Sequence, residues 1–260
     1  MKIKFDKRRV CILITLVSCV LLIACEAIGM GRILGEGADK ELVESLNVSV
    51  SRALGSVVFL TILVYLGYKV LNPIRKPFFR SLLFCLPAFC VVINNLPIYP
   101  LATGMVSVTD PWWRVLVLAI ECFMVGLLEE TCFRGMVLLG FLRKRRGTVL
   151  GRFISIILSS AVFGVVHLIN IFLGASPTAV LMQIGYSFLI GAMCSVVLMK
   201  TANIWLCVLL HAIFNFCGAL VTFWEPVTIT VTVLISVAAT AYMLVMFFKI
   251  KTDELDRIYQ

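Results

Sequence analysis

Two adjacent carboxylates and one arginine interrupt an apolar run near the middle of this sequence. The run contains Glu129, Glu130 and Arg134, with only apolar or small uncharged residues between and around them. If it crosses a membrane as a helix, each charge costs about 2.5 to 3.5 kcal/mol on insertion scales. Three unpaired charges would cost on the order of 8 to 10 kcal/mol, so either pairing or function must account for them.

Helical spacing distinguishes the two acids. Glu130 and Arg134 are four residues apart and share one helix face, where they can pair. Glu129 lies about 100° further round the helix and is left without that partner. An unpaired carboxylate in a low-dielectric site is suited to act as a general base. The spacing therefore predicts a structural role for Glu130 and a chemical role for Glu129, while Glu121 is predicted to face the bundle without an assigned role.

The two histidines of the chain also lie within apolar runs. His167 follows Phe163 by four residues and His211 precedes Asn215 by four, so each pair shares a helix face. A single histidine or asparagine of this kind is typical of hydrogen-bonded packing between membrane helices. Together with Glu129 on a third helix, these groups predict a hydrated polar cavity inside the membrane.

The composition excludes a soluble domain. The chain has 260 residues, of which 61% are hydrophobic, and its mean hydropathy is +1.06. Apolar runs long enough to cross a membrane recur along its length, and no alternating pattern typical of a membrane barrel is present. The fold class expected is an all-α polytopic bundle of about eight transmembrane helices. Their expected positions are 10–30, 53–71, 81–100, 113–142, 153–173, 178–199, 204–224 and 227–248.

The distribution of basic residues predicts the orientation. The segment 1–9 and the loop 143–147 are strongly basic, which places them and both termini in the cytoplasm. The net charge of +9 is therefore interpreted as an orientation signal, and a nucleic-acid partner is not expected. The first apolar run resembles a signal peptide with a cleavage box at Cys25, but it continues past that residue, which favours a retained helix. Residues 31–52 are predicted to form a short amphipathic or irregular external stretch.

The ten cysteines show no paired C-x-x-C spacing, and nearly all lie in apolar runs. They are interpreted as small hydrophobic residues of packed or lipid-facing positions, because neither a disulfide framework nor a thiolate metal site has the spacing it requires.

Three motifs in this order resemble those of the CAAX prenyl protease and bacteriocin-processing family, also called CPBP or Abi. They are E-E-x-x-x-R from Glu129 to Arg134, F-x-x-x-H from Phe163 to His167, and H-x-x-x-N from His211 to Asn215. Members of this family are intramembrane endopeptidases that are often classed as metalloproteases. The resemblance implies a catalytic core at 113–220, preceded by membrane helices and loops at 1–112 and followed by a last helix and tail at 221–260.

The resemblance also implies a role for each motif residue. Glu129 would activate the attacking water, with His167 as its partner in polarising that water and transferring protons. His211 and Asn215 would hold the oxyanion of the tetrahedral intermediate, which needs preorganised donors. Glu130 and Arg134 would hold the helix that carries Glu129.

The role of a metal stays open at this point. The H-E-x-x-H zinc signature is absent, yet Glu129, His167 and His211 could ligate zinc and leave a position for water. A metal-free, glutamate-dependent mechanism is favoured, so no cofactor is expected.

The expected partners are the lipid bilayer and a membrane-associated protein or peptide substrate, with a bacterial cell membrane as the favoured location. Two other classes remain as alternatives. A non-catalytic scaffold or immunity protein could keep the fold without the chemistry. A proton-coupled transporter would also bury such charges, but it would more often show broken helices or inverted repeats.

Overall fold

The computed structural model describes residues 39–73, 78–221 and 226–259, together with Gly29 and Gly37. Within these residues the chain forms helices and no strand. In chain order they are α1 (Lys40–Leu66), α2 (Phe78–Phe84), α3 (Leu86–Ile93), α4 (Ile98–Ala102), α5 (Trp112–Glu130), the π-helix π1 (Thr131–Leu138), α6 (Leu139–Arg145), α7 (Val149–Val166), α8 (Ile169–Phe172), α9 (Pro177–Thr201), α10 (Ile204–Leu220), α11 (Pro226–Phe248) and α12 (Thr252–Tyr259). The expected first helix at 10–30, with Cys25, lies outside the described residues.

Several of these helices are long and apolar enough to cross a membrane. In the described part of the chain there are four such segments: α1, the segment made of α7 and α8 together, α9, and α11. The helix α10 is apolar but shorter. The long helix α5 differs because it carries Arg114, Glu121 and the Glu129–Glu130 pair. The protein is thus a polytopic helical membrane protein, which confirms the expected fold class. The number of eight crossings and the cytoplasmic position of the termini stay predictions.

The helix α1 begins at Lys40, so the expected start of this helix at residue 53 is wrong, and residues 40–52 of the stretch expected to be amphipathic or irregular belong to the same helix. The Asp39 carboxylate caps the helix by accepting from the backbone N–H groups of Glu41 and Leu42, at 3.0 and 3.3 Å. Arg114, at the start of α5, forms ion pairs with both Asp39 and Glu41. The Leu42 N–H bond, and then the Arg114 guanidinium, hold the pKa of Asp39 below its ordinary value. These contacts join the adjacent ends of α1 and α5.

The single helix expected at 81–100 is also wrong, because this segment contains α2, α3 and α4 with breaks between them. Pro87 occupies the first turn of α3 and Pro97 precedes α4, and a proline cannot donate the backbone hydrogen bond that a continuous helix needs. Two amides follow α3 and bind neighbouring helices. Asn94 donates to the Thr232 hydroxyl at 2.7 Å, and Asn95 donates to the Phe214 carbonyl at 2.8 Å.

The expected tail after α11 includes the amphipathic helix α12. Leu255 and Ile258 on this helix are fully buried against the bundle. The Lys200 ammonium at the end of α9 lies 2.7 Å from the Glu254 carboxylate on the polar side of α12. The tail therefore packs across the ends of the helices.

The helices α5 and α10 cross closely at Gly126. A Cβ added at this position would lie 3.1 Å from the Val208 carbonyl oxygen and 3.2 Å from the Ala212 backbone nitrogen. It would also lie 3.5 Å from Cβ of His211. A side chain at residue 126 would therefore separate two helix backbones, so the glycine permits the approach that places the end of α5 beside His211.

We expect Gly126→Ala to lower the free energy of unfolding by about 1 to 2 kcal/mol, because the added methyl group overpacks a contact between backbones. The measurement is equilibrium unfolding of the purified protein in detergent micelles. Gly140→Ala on α6 is the matched control, since a Cβ there meets nothing within 4 Å. The control should be neutral or slightly stabilising, because alanine favours helix over glycine. Equal stability of the two variants would show that α5 and α10 can separate without loss.

Candidate active site

The helix α5 changes into the wider π1 immediately after Glu130. In a π-helix the usual hydrogen-bond ladder is altered, so side chains can satisfy the backbone groups it leaves. Thr131 donates its hydroxyl proton to the Leu127 and Leu128 carbonyls, at 2.7 and 3.0 Å. Ser159 on α7 donates to the Phe133 carbonyl at 3.1 Å. This irregular turn is therefore held by a neighbouring helix, at the point where the two acids lie.

The Glu130 and Arg134 side chains are buried and form an ion pair, with Arg134 Nε 3.1 Å from Glu130 Oε2. The guanidinium carbon lies 4.4 Å from the centre of the Phe163 ring. On another side the guanidinium packs close to the α9 backbone, because a Cβ added at Gly191 would lie 2.6 Å from Arg134 Nη2. The Arg134 side chain is thus enclosed between π1, α7 and α9, with its charge facing Glu130.

His211 on α10 lies between the two acids. Its Nδ1 is 2.8 Å from Glu130 Oε1, and its Nε2 is 3.4 Å from Glu129 Oε2. The imidazole is almost fully buried, whereas the Glu129 side chain keeps 22% of its surface exposed. Glu129 is therefore the acid that a water molecule or a substrate can reach. Sequence spacing did not indicate either contact with His211, because both join helices that are far apart along the chain.

His167 lies at the C-terminal end of α7, where its Nδ1 is 2.9 Å from the Phe163 carbonyl oxygen. If Nδ1 donates this hydrogen bond, Nε2 is left to exchange a proton. The Phe163 ring contacts both histidines, with ring centres 5.2 Å from His167 and 5.8 Å from His211. No hydrogen bond or ion pair joins His167 to Glu129 in the described part of the chain, so their expected partnership is not a direct contact here.

A cavity of about 980 Å³ lies beside these residues, between α3, α5, α7, α9, α10 and α11. Most of its wall is apolar. Asn215 faces this cavity, and its amide makes no hydrogen bond to any described residue. Asn215 lies one helical turn from His211 on α10, so the cavity comes within about one turn of the polar cluster, although Glu129, His167 and His211 do not line it. An extended or lipid-like apolar ligand could therefore lie next to the polar cluster.

The residues that could hold zinc, Glu129, His167 and His211, do not converge on one point. Glu129 and His211 are in contact, but His167 binds the Phe163 carbonyl and is not joined to either of them among the described residues. The described side chains with ligand atoms within 4.8 Å of one another belong instead to Glu130, Cys194 and Cys207. Because the arrangement of Glu129, His167 and His211 does not fit a zinc centre, the chemistry below is derived without one.

The two buried thiols of this cluster were interpreted from the sequence as small hydrophobic residues. Each one points to the backbone of the other helix: Cys207 Sγ lies 3.2 Å from the Cys194 carbonyl oxygen, and Cys194 Sγ lies 3.9 Å from the Cys207 carbonyl oxygen. They are thus in contact between α9 and α10, and both are free thiols.

Residues 111–217 match the family model described as type II CAAX prenyl endopeptidase Rce1-like. The matched segment contains all seven motif residues and confirms the family resemblance that they indicated. No curated protein and no solved structure matches the chain.

Proposed function

We propose that this chain, whose residues 111–217 form an Rce1-like CAAX endopeptidase domain, hydrolyses a peptide bond of a membrane-associated protein or peptide by direct attack of water. The match supports an intramembrane protease at the family level. The observation that carries the finer proposal is the position of Glu129. It is partly exposed and contacts a histidine that the buried Glu130–Arg134 pair holds in place. Asn215, one helical turn from that histidine, lines the apolar cavity.

Proton counting supports a charged His211. Both of its ring nitrogens face carboxylate oxygens, and an ionised carboxylate can only accept a hydrogen bond. Both contacts are favourable when both nitrogens carry a proton, which makes the ring an imidazolium. The cluster of Glu129, Glu130, Arg134 and His211 then contains two negative and two positive charges. Such balance matters because an unpaired charge buried in this cluster would be strongly destabilising.

In the proposed mechanism, Glu129 accepts a proton from a water molecule as the water oxygen attacks the carbonyl carbon of the substrate. The His211 Nε2–H and the Asn215 amide donate hydrogen bonds to the oxyanion that forms. When the carbon–nitrogen bond breaks, the proton taken up by Glu129 passes to the departing amine. His167 assists this transfer through Nε2, the nitrogen that does not face the Phe163 carbonyl. No covalent acyl-enzyme is formed.

The cavity supports a substrate with a substantial apolar part, because about 980 Å³ of mostly apolar space adjoins the cluster. The family resemblance allows processing of prenylated C-terminal peptides, maturation of peptide pheromones or bacteriocins, self-immunity against bacteriocins, or regulated cleavage of membrane proteins. These substrate classes are all part of the proposal, as is a bacterial cell membrane as the location.

The test uses the purified protein in proteoliposomes with a library of membrane-associated peptides, including farnesylated ones, and product analysis by mass spectrometry. We expect cleavage at a defined bond. Hydroxylamine should give no hydroxamate product, because no acyl-enzyme is available to trap. A chelator should leave the rate unchanged, and a loss of activity that added zinc restores would overturn the metal-free mechanism. If the wild type cleaves no member of the library, the scaffold alternative is favoured over the protease.

A further inference from the structure

Glu121 on α5 is an acid on the wall of the cavity, and no residue in the described part of the chain pairs with it. It is half-buried and makes no hydrogen bond or ion pair with any described residue. The two other acids of α5 differ in this respect, since Glu129 contacts His211 and Glu130 contacts both His211 and Arg134. The described residues thus provide cations for two acids of this helix and none for the third.

The cavity wall around Glu121 favours the binding of a positively charged group. Among the described residues that line the cavity there is no lysine, arginine or histidine, and Glu121 is the one acid. The other polar side chains on the wall are neutral: Asn95, Gln183, Tyr186, Asn215, Thr232, Ser236 and Thr240. A carboxylate in such a low-dielectric, mostly apolar space attracts an opposite charge much more strongly than one in water. A positively charged group that enters the cavity would therefore be drawn to this residue.

The helix geometry gives the distance between Glu121 and the reacting groups. Glu121 precedes Glu129 by eight residues, which corresponds to about 12 Å along a helix at 1.5 Å per residue. The contacts at Gly126 place α5 against Val208 and Ala212 of α10. An extended peptide advances about 3.3 Å per residue, so 12 Å corresponds to roughly four residues of substrate.

We propose that Glu121 forms a subsite for a lysine or arginine side chain of the substrate, within about four residues of the bond that is cleaved. The inference rests on the proposed peptidase function, and it specifies the substrate as an apolar segment that carries a basic residue. Its ammonium or guanidinium group pairs with the Glu121 carboxylate, while the apolar part of the segment occupies the rest of the cavity. Glu121 thereby recognises the positive charge of the substrate at a site separate from the reacting atoms.

The experiment compares matched peptides in which one position at a time, up to four residues on either side of the cleaved bond, is lysine or norleucine. We expect the wild type to cleave the lysine peptide with a kcat/KM about 10-fold higher at one of these positions. In Glu121→Gln this ratio should fall to about one, and in Glu121→Lys a glutamate peptide should become the better substrate. Because the measurement is a ratio within each variant, a general loss of activity does not affect it.

Glu44→Gln is the matched control, since Glu44 is an exposed acid on α1 outside the cavity. It removes the same charge and should keep the lysine preference of the wild type. A ratio near one at all positions in the wild type would overturn the proposal, and so would an unchanged ratio in Glu121→Gln.

A binding measurement separates failure of this inference from failure of the proposed function. Fluorescently labelled lysine and norleucine peptides are titrated with the Glu129→Gln protein in phosphatidylcholine vesicles. We expect the lysine peptide to bind about 10-fold more tightly than the norleucine peptide. This difference should disappear in the double variant Glu121→Gln/Glu129→Gln. A binding difference without any cleavage by the wild type would refute the peptidase and keep the cation subsite. In a further arm, phosphatidylethanolamine is added to the vesicles. If it weakens the binding of both peptides equally, and the two peptides bind with the same affinity, Glu121 binds a lipid amine and the proposal is refuted.

Discussion

Replacing Glu129 with glutamine should lower kcat/KM by about 10³- to 10⁴-fold while leaving the protein folded. Glutamine has nearly the same shape as glutamate but cannot accept a proton from water, and general-base catalysis commonly contributes 10² to 10⁴ to a rate. The loss should appear in kcat, since the proton is transferred in the transition state and not on binding. The measurement is steady-state cleavage of the best peptide in proteoliposomes, with the unfolding transition recorded for the same preparation.

His211→Gln should be similarly impaired, because His211 contacts Glu129 and is proposed to donate to the oxyanion. Residues that act as a unit show losses that do not add, so the double variant should be little worse than either single one. Exposed Glu44 again provides the control, and Glu44→Gln should keep the rate of the wild type. Retention of more than a tenth of the activity by Glu129→Gln would contradict its assignment as the base.

Arg134→Met should lower the free energy of unfolding by about 3 to 5 kcal/mol. The substitution keeps an elongated side chain but leaves Glu130 buried with less positive charge around it, and breaking a buried ion pair by removal of one partner costs this much. The methionine would also lose the contact of the guanidinium with the Phe163 ring. Equilibrium unfolding in detergent micelles measures the change.

Arg146→Met is the matched control for this effect. Arg146 pairs with Asp256 at 2.6 Å, but both side chains are about one-third exposed, so the loss should be below about 1 kcal/mol. The double variant Glu130→Gln/Arg134→Met should regain much of the stability, because no buried carboxylate is then left unpaired. Its activity should stay low, since His211 lacks the negative charge of Glu130. Equal stability of Arg134→Met and Arg146→Met would show that Arg134 does not neutralise Glu130.

Features that depend on neighbours within one helix were accessible from the sequence. A spacing of four residues indicated the contact between Glu130 and Arg134, because the geometry of one helix brings such residues together whatever the rest of the chain does. The hydropathy of long segments likewise indicated a helical membrane protein. The order of three short motifs was enough to indicate the family, and the match over residues 111–217 confirms it.

The breaks and ends of helices were harder to predict from the sequence. The apolar content of 81–100 suggested one helix, whereas the prolines there end hydrogen-bond ladders and produce three. The start of α1 at Lys40 depends on the Asp39 cap and on Arg114, which comes from a distant part of the chain. The π-helix after Glu130 depends in the same way on Ser159, a donor that α7 supplies.

The sequence by itself determined which residues are proposed to carry the chemistry, because helical spacing and motif order can be read without the fold. Only the tertiary structure decided which of them meet. His211 contacts both acids although it lies 81 residues from Glu130, and this contact requires the close crossing of α5 and α10 at Gly126. Among the described residues, the same packing places no cation beside Glu121 on the cavity wall. The spacing of residues along the sequence could not show the contacts of His211 or the surroundings of Glu121. Spacing describes the faces of a single helix, whereas the neighbours of these residues come from other helices.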